Sequence, residues 1–303
     1  MNKTAAVVVT YNRKELLMSC IGCLLRQTVP CDILVIDNAS TDGTKEALAE
    51  LIKGGKIIYR NTGKNLGGAG GFSEGVRTGT LLGYEYLWLL DDDAMMHEDA
   101  LEKLLHADEK LYGNYGFLSG AVYFRESEEL CRMNIQRTSW HEKVSDYSSM
   151  LVPIVMATFV SFFVKAEVVR KVGLPISEFF IWADDLEYSR RISLQYSCYM
   201  VPESRVRHMM TKNDRVGIES ETEDRMWRYR CLYRNECFLY RREGLKGRLY
   251  MFLRVLLHSE RILLHAKEGK KNKLKTVWQS YLEGGRFRPE IKYIEEKTEC
   301  EAK

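Results

Sequence analysis

LWLLDDDA, residues 87–94, is an apolar run that ends in three carboxylates. Leu87 to Leu90 have the character of a buried strand brought to its end. Three adjacent like charges repel one another and are costly unless a cation or solvent neutralises them. Residues two apart on an extended segment face the same way, so Asp91 and Asp93 can converge on one ion. Hard oxygen ligands suit Mg²⁺ or Mn²⁺. A solvated acidic loop or a helix N-terminus would also accept three Asp. A strand feeding directly into them favours the ion.

Outward from this stretch, strand and helix patterns alternate over the first 120 residues. AAVVVT (5–10), DILVID (32–37), KIIYR (56–60), YLWLL (86–90) and GFLSGAV (116–122) read as strands. Helical patterns run from Arg13 to Gln27, from Asp42 onward, over 70–83 and over 98–110. Such alternation predicts βαβ units, an α/β fold with a mainly parallel sheet flanked by helices. Ligands bind such sheets at the carboxyl ends of the strands. Residues 123–150 lack periodicity. PIVMATFVSFFV (153–164) predicts one buried strand, FFIWADDLEYSRRI (179–192) a loop entering a helix, and SCYMVP (197–202) a further strand. From residue 221 the pattern is helical and basic, so 1–220 is expected to be the α/β domain and 221–303 a helical C-terminal extension.

The 303 residues are 45% hydrophobic and 29% charged, an ordinary globular composition. A net charge of +3 predicts no nucleic-acid partner. The charge is uneven: residues 241–303 carry about +7 and residues 1–240 about −4. There is no signal-peptide pattern, and no apolar run approaches the roughly 20 residues that span a bilayer. These features and eight scattered cysteines predict a cytoplasmic protein with free thiols. Cys20 and Cys23 form a CxxC without a second pair, which reads as helix packing rather than zinc binding.

Other polar motifs sit at predicted strand ends. In NLGGAGG (65–71), Gly67 and Gly68 would let backbone amides approach a phosphate at a helix start. The spacing matches neither the dinucleotide fingerprint nor the P-loop. TYNR (10–13) and IDNAST (36–41) place hydrogen-bonding groups at the same edge. There Asp37 can accept from a base imide and Arg13 can meet a phosphate, although turn chemistry also explains them. Asp184 and Asp185 stand beside aromatic residues in WADDLEY (182–188), where burial would raise a carboxyl into general-base range. An N-capped amphipathic helix is the other reading. His208 follows a strand; a lone histidine is more often structural or exposed than a ligand.

TYNR, VIDNASTDGT (35–44), NLGGAGG, LLDDDA (89–94) and IWADDLEY (181–188), in that order, resemble the inverting glycosyltransferase family 2 with its GT-A fold. The resemblance covers about residues 4–210. With His208 and LYRNE (232–236) it narrows toward bacterial galactofuranosyltransferases, and rhamnosyltransferases share much of it. It implies that Thr10, Tyr11, Arg13, Asp37 and Asn65, with Gly67, Gly68, Asp91 and Asp92, bind a nucleotide-sugar donor. It implies a Mn²⁺ or Mg²⁺ held by Asp91, Asp93 and His208. Asp185 would be the catalytic base, with Asp184 beside it, and Trp182 would stack on an acceptor sugar. The acceptor expected is a glycan or a lipid-linked glycan. Ala183 between Trp182 and the acidic pair departs from the pattern. The large flanking domains of polymerising members are absent, so formation of a single linkage is expected. A sugar nucleotidylyltransferase would need a glycine-rich basic signature where TYNRKE stands, and a non-catalytic scaffold leaves two acidic clusters unexplained.

KGRLYMFLRVLLHSERILLHAK (246–267) is apolar on one side and basic on the other, and more lysines follow. Three readings remain: an anionic membrane surface at the inner face of the plasma membrane, an oligomer interface, and packing on the catalytic domain.

Overall fold

The structure, a computed structural model, describes residues 3–214 and 217–295. The chain runs β1 (Thr4–Thr10), α1 (Lys14–Leu25), β2 (Asp32–Asp37), α2 (Thr44–Ala47), α3 (Ala49–Lys53), β3 (Ile58–Asn61), α4 (Gly67–Leu81), β4 (Tyr86–Asp91), β5 (Ala94–Met96) and α5 (Ala100–Lys110). It continues with β6 (Phe117–Phe124), β7 (Val152–Pro153), β8 (Phe162–Lys165), α6 (Ala166–Val172), α7 (Asp184–Ser193) and β9 (Tyr199–His208). Three long helices follow: α8 (Met226–Arg241), α9 (Gly244–His265) and α10 (Lys270–Arg286).

One sheet holds the strands of the described residues, in the order β3-β2-β1-β4-β8-β6-β9-β5, with β7 also on β9. The half from β3 to β4 is parallel, as the alternating pattern requires. The other half is mixed: β8 is antiparallel to β4 and β6, β6 is parallel to β9, and β5 runs antiparallel to β9. Alternate residues feed two cores. Ala6, Val8, Ile33, Val35, Trp88 and Leu90 face α1 and α5, whereas Ala5, Val7, Leu34, Ile36, Leu87 and Leu89 face α4 and α6. Strands covered on both faces must be apolar throughout, which is why they read as continuous runs.

Helix α4 lies unusually close to the sheet. A Cβ at Gly71, Gly75 or Gly79 would stand 2.4–2.5 Å from Val9, Val7 or Leu87. A spacing of four keeps these glycines on one helix face.

Two expectations are corrected and one strand is added. Residues 153–164 are not one strand: β7 ends at Pro153, a 3-10 turn forms at Phe159–Ser161, and β8 begins at Phe162. Apolar character alone does not separate a strand from a buried turn. The strand expected at 197–202 begins at Tyr199 and runs on as β9 to His208, with a register shift opposite Gly120/Ala121. The short β5 directly after the three Asp was not anticipated.

The C-terminal helices have their own core of Met226, Tyr229, Tyr233, Val255, Ile262 and Val277, which includes Trp140 and Trp182 at its edge. Directional bonds fasten them to the sheet domain. Arg190 pairs with Glu243 at 2.5 Å, and Arg242 with the buried Glu187 at 2.6 Å.

Candidate active site

Strand order builds the acidic site. In the parallel register Val9 lies opposite Asp91, so Thr10 at the end of β1 reaches the next carboxylate. Thr10 Oγ1 donates to Asp92 Oδ2 at 2.7 Å. On the other side β5 pairs with the end of β9, opposing Ala94 to His208, and the Met209 amide donates to the Asp93 carbonyl at 2.9 Å. His208 Nε2 thereby meets Asp93 Oδ1 at 2.9 Å, across 115 residues of sequence. Ligand atoms of Asp91, Asp93 and His208 all lie within 4.8 Å of one another.

Protein cations balance this charge. Arg13 Nη1 contacts Asp93 Oδ2 at 2.6 Å and Asp92 Oδ1 at 3.1 Å. Burial works against a charged His208, but its hydrogen bond to Asp93 and the charges of Asp93 and Asp91 push its pKa up to about 10. Burial and the Asp93 charge raise Asp91 to about 7. Burial raises Asp92 to about 6 against the pull of Arg13. Burial also pushes on Asp93, yet His208 and Arg13 outweigh it and hold this carboxyl down to about 2. Two carboxylates and an imidazole form a donor set that fits Mn²⁺ or Mg²⁺. A divalent ion would take over the neutralising role that Arg13, and His208 when protonated, fill without it.

Asn134 gives the histidine its orientation. Asn134 Oδ1 lies 2.8 Å from His208 Nδ1, while Asn134 Nδ2 donates to Thr158 Oγ1 at 2.9 Å. A donor at Nδ1 leaves Nε2 to face the carboxylates, the arrangement by which second partners set metal-ligating histidines. Asn134 belongs to the non-periodic segment 123–150, and no sequence pattern signals it.

Several expected nucleotide contacts are already engaged. Asp37 is 1% exposed; its oxygens accept from the Ser40 amide at 2.8 Å and the Tyr59 hydroxyl at 2.6 Å. Asp92 braces Thr10 and Arg13. Asn65 Oδ1 accepts from the Gly67 amide at 2.8 Å, closing the turn into α4. Tyr11 is exposed at the rim. Gly67 does not present open backbone to a phosphate. It has φ +71°, and a Cβ there would fall 2.1 Å from the Phe180 carbonyl oxygen, which also accepts from the Ala69 amide at 3.1 Å. Gly68 has open space around it.

The second acidic pair opens α7 out of a strained loop. Phe180, Trp182 and Ala183 have φ of 63°, 66° and 67°. The left-handed region costs a non-glycine residue about 1–2 kcal/mol. Asp184 is buried, and burial raises its carboxyl well above the ordinary range, with Asp185 and Asp91 adding to the shift. Asp185 is half-buried, and its Oδ1 accepts from the Leu186 amide at 2.7 Å. Trp182 is half-buried and packs edge-on against Tyr229 of α8 at 5.5 Å. It is therefore part of the contact between loop and C-terminal helices.

The model of the family described as Glycosyl transferase family 2 matches residues 5–170. The chain belongs to glycosyl transferase family 2. Among curated relatives, the galactofuranosyltransferase GlfT1 of Mycolicibacterium smegmatis is 28% identical over 207 residues, a match spanning 62% of this chain and 64% of that protein. Two solved structures share the fold. GalNAc-T7 with UDP, GalNAc and Mn²⁺ has a TM-score of 0.65 at 15% identity, over 91% of this chain and 54% of the other. The mannosyltransferase PcManGT from Pyrobaculum calidifontis in complex with GDP-Man and Mn²⁺ has a TM-score of 0.57 at 17% identity, over 94% of this chain and 75% of the other. The GT-A architecture expected of a family 2 glycosyltransferase is thus present, with three C-terminal helices added.

In this family 2 chain the sequence reading assembled most of the acidic site. It missed Asn134 beneath His208. It also passed over Asn235, which it quoted within LYRNE without assigning it a role. Asn235 is fully buried and donates to the carbonyls of Phe179, Ile181 and Trp182.

Proposed function

We propose that this chain catalyses inverting transfer of galactofuranose from UDP-galactofuranose to a hydroxyl of a glycan or lipid-linked acceptor, in cell-surface polysaccharide synthesis. The observation that carries this reading is the cation-ready group Asp91, Asp93 and His208 at the sheet edge, with an acidic pair on α7 close enough for the Asp91 charge to act on Asp184. The relative named a galactofuranosyltransferase supports the sugar. The UDP- and Mn²⁺-containing structural neighbour supports the nucleotide and the ion.

Asp91, Asp93 and His208 would hold Mn²⁺ or Mg²⁺, which when bound supplies positive charge to the departing diphosphate. Thr10 and Arg13 keep Asp92 and Asp93 in place at the donor edge. Tyr11 and Gly68 would meet the nucleotide, with Asp37 and Asn65 holding the turns behind them. Asp185 removes the proton from an acceptor hydroxyl. The resulting oxygen attacks the anomeric carbon, and the bond to the nucleoside diphosphate breaks with its electron pair on the leaving group. Asp184, whose carboxyl favours the protonated form, adds no second negative charge beside the base. A single displacement inverts the anomeric centre.

The decisive experiment offers UDP-galactofuranose, UDP-galactose, UDP-glucose and dTDP-rhamnose, each with Mn²⁺, and follows nucleotide release with and without acceptor. Acceptor-dependent release from UDP-galactofuranose is expected. Faster turnover of dTDP-rhamnose would reassign the sugar, and acceptor-independent release would make the chain a hydrolase.

No helix among the described residues is long and apolar enough to cross a membrane. Helix α9 nevertheless carries a second apolar face. Met251, Val255 and Ile262 are buried against α8 and α10, whereas Leu249, Leu253, Leu256 and Leu264 are 42–67% exposed. Lys246 and the run Lys267, Lys270, Lys271 and Lys275 accompany them. An exposed leucine face beside lysines fits peripheral attachment to an anionic bilayer, where a lipid-linked acceptor would lie. Co-sedimentation with vesicles containing anionic lipid, abolished by Leu249, Leu253 and Leu256→Ser together, checks this. Self-association without vesicle binding would assign the face to a dimer.

A further inference from the structure

We propose that Asn235 of α8, with Arg234 beside it, is a positioning residue for the acidic pair on α7. The functional part of this proposal rests on the reading of Asp185 as the base. The loop before α7 places three non-glycine residues in the left-handed region within four positions. Such a path is held from outside rather than by local preference. The partners that hold it are all present. Asn235 Nδ2 donates to the carbonyls of Phe179 at 3.0 Å, Ile181 at 3.1 Å and Trp182 at 2.9 Å. An amide nitrogen has two hydrogens, so one of them is shared. Asn235 Oδ1 accepts from Arg234 Nε at 3.0 Å, which sets the amide with its nitrogen toward the loop. Arg234 Nη2 reaches the carbonyls of Glu178 at 2.7 Å and Phe179 at 3.2 Å. The Ala69 amide of α4 donates to the Phe180 carbonyl.

Five consecutive carbonyls, from residue 178 to residue 182, are therefore bound by donors outside the loop. Each fixes a peptide plane. The plane held at Trp182 carries the nitrogen of Ala183, the residue that caps α7, so Asn235 sets the direction in which the first turn leaves and in which Asp184 and Asp185 project. The neighbouring aromatic contacts, Trp227 on Phe180 and Tyr229 on Trp182, add apolar packing without that directionality. Asn235 is fully buried, so losing it removes donors that bulk solvent does not already supply.

The test uses the full-length protein with Mn²⁺ and donor. It compares wild type, Asn235→Ala, and Asn235→Ala combined with Ala183→Gly. Displacement of a reacting group by about 1 Å can cost about 10²-fold in rate. Asn235→Ala should lower kcat by about that factor while donor KM and Mn²⁺ dependence stay within about threefold. Hydrogen exchange of peptides covering 177–187 should accelerate about tenfold, with β1 and β4 unchanged. Glycine takes a φ of 67° without the Cβ penalty, so Ala183→Gly should restore part of the lost kcat. A folded Asn235→Ala with wild-type kcat and exchange overturns the proposal, as does parallel loss of kcat, donor binding and metal binding. If Asn235→Ala fails to fold, Asn235→Ser, which keeps one donor, and Arg234→Ala carry the same readouts. Faster exchange at 177–187 in a protein whose Asp185→Asn variant still turns over would refute the base assignment and leave the clamp standing.

Discussion

The two acidic groups of this molecule are held in opposite ways. At the end of β4 three carboxylates are met by basic side chains: Arg13 on Asp92 and Asp93, and His208, whose pKa is raised, on Asp93. At the start of α7 no cation among the described residues pairs with Asp184, and burial drives its carboxyl toward the protonated form. A divalent ion at the first group would replace one positive charge by another; in the second, a carboxyl inclined to keep its proton stands beside the proposed base. The backbone differs as well. Regular strand register places the first group, and a loop with three left-handed residues, bound by donors from two helices, places the second. The same residue type is thereby prepared for two kinds of chemistry.

Exchanging the proton function should cost most. Asp185→Asn is isosteric, and loss of a general base lowers kcat by about 10²–10⁴-fold. Titration calorimetry with UDP and Mn²⁺ should show binding within a few-fold of wild type; near-normal turnover would remove Asp185 from the chemistry. Breaking the cation function acts differently. Asp93→Ala leaves His208 and Arg13 facing a weakened cluster. It should abolish the Mn²⁺-dependent thermal shift and lower metal-free stability by about 3 kcal/mol, measured by denaturant unfolding. EDTA should stop wild-type activity and Mn²⁺ restore it. A subtler change tests orientation alone: Asn134→Ala should weaken Mn²⁺ about 10–100-fold with the three ligands untouched.

The pH dependence should separate the groups further. His208 has a folded pKa of about 10, above its ordinary value, so it stabilises the metal-free fold fully below pH 6.5, and that contribution is lost as pH rises through 10. Asp91 is raised to about 7, so its burial cost is fully present above that pH and disappears as it protonates on the way down to its ordinary value of 3.8. Both trends weaken the metal-free protein with rising pH, and both protons must leave before the metal is held. Mn²⁺ affinity should therefore rise about tenfold per pH unit above pH 7 and more steeply below it. The thermal shift on adding Mn²⁺ should be larger at pH 8 than at pH 6. A flat profile would place the ion away from Asp91 and His208.

Much of this site was legible because its signals are local. An apolar run ending in Asp91–Asp93 announces both a strand and its end, and the acidic pair beside Trp182 marks a helix start. Other parts misled for equally physical reasons. The glycines after Asn65 suggested a phosphate cradle. Gly67 instead admits the Phe180 carbonyl, and Gly71, Gly75 and Gly79 admit the sheet. A glycine reports that something comes close, without saying what. Arg13, read as a group that can meet a phosphate, contacts Asp92 and Asp93 in the metal-free chain. The stretch 153–164 was apolar enough for a strand and bends at Phe159–Ser161.

The sequence by itself determined the parallel half of the sheet, the carboxylates at its edge and the family. These follow from residue periodicity and from motifs a few residues long. Only the tertiary structure decided that β9 returns beside β5 to set His208 on Asp93, that Asn134 lies beneath that histidine, and that Asn235 gathers the carbonyls of the loop before Asp184. Each of these contacts joins residues more than fifty positions apart. Strand order and helix docking bring them together, and neither leaves a periodic trace in the chain.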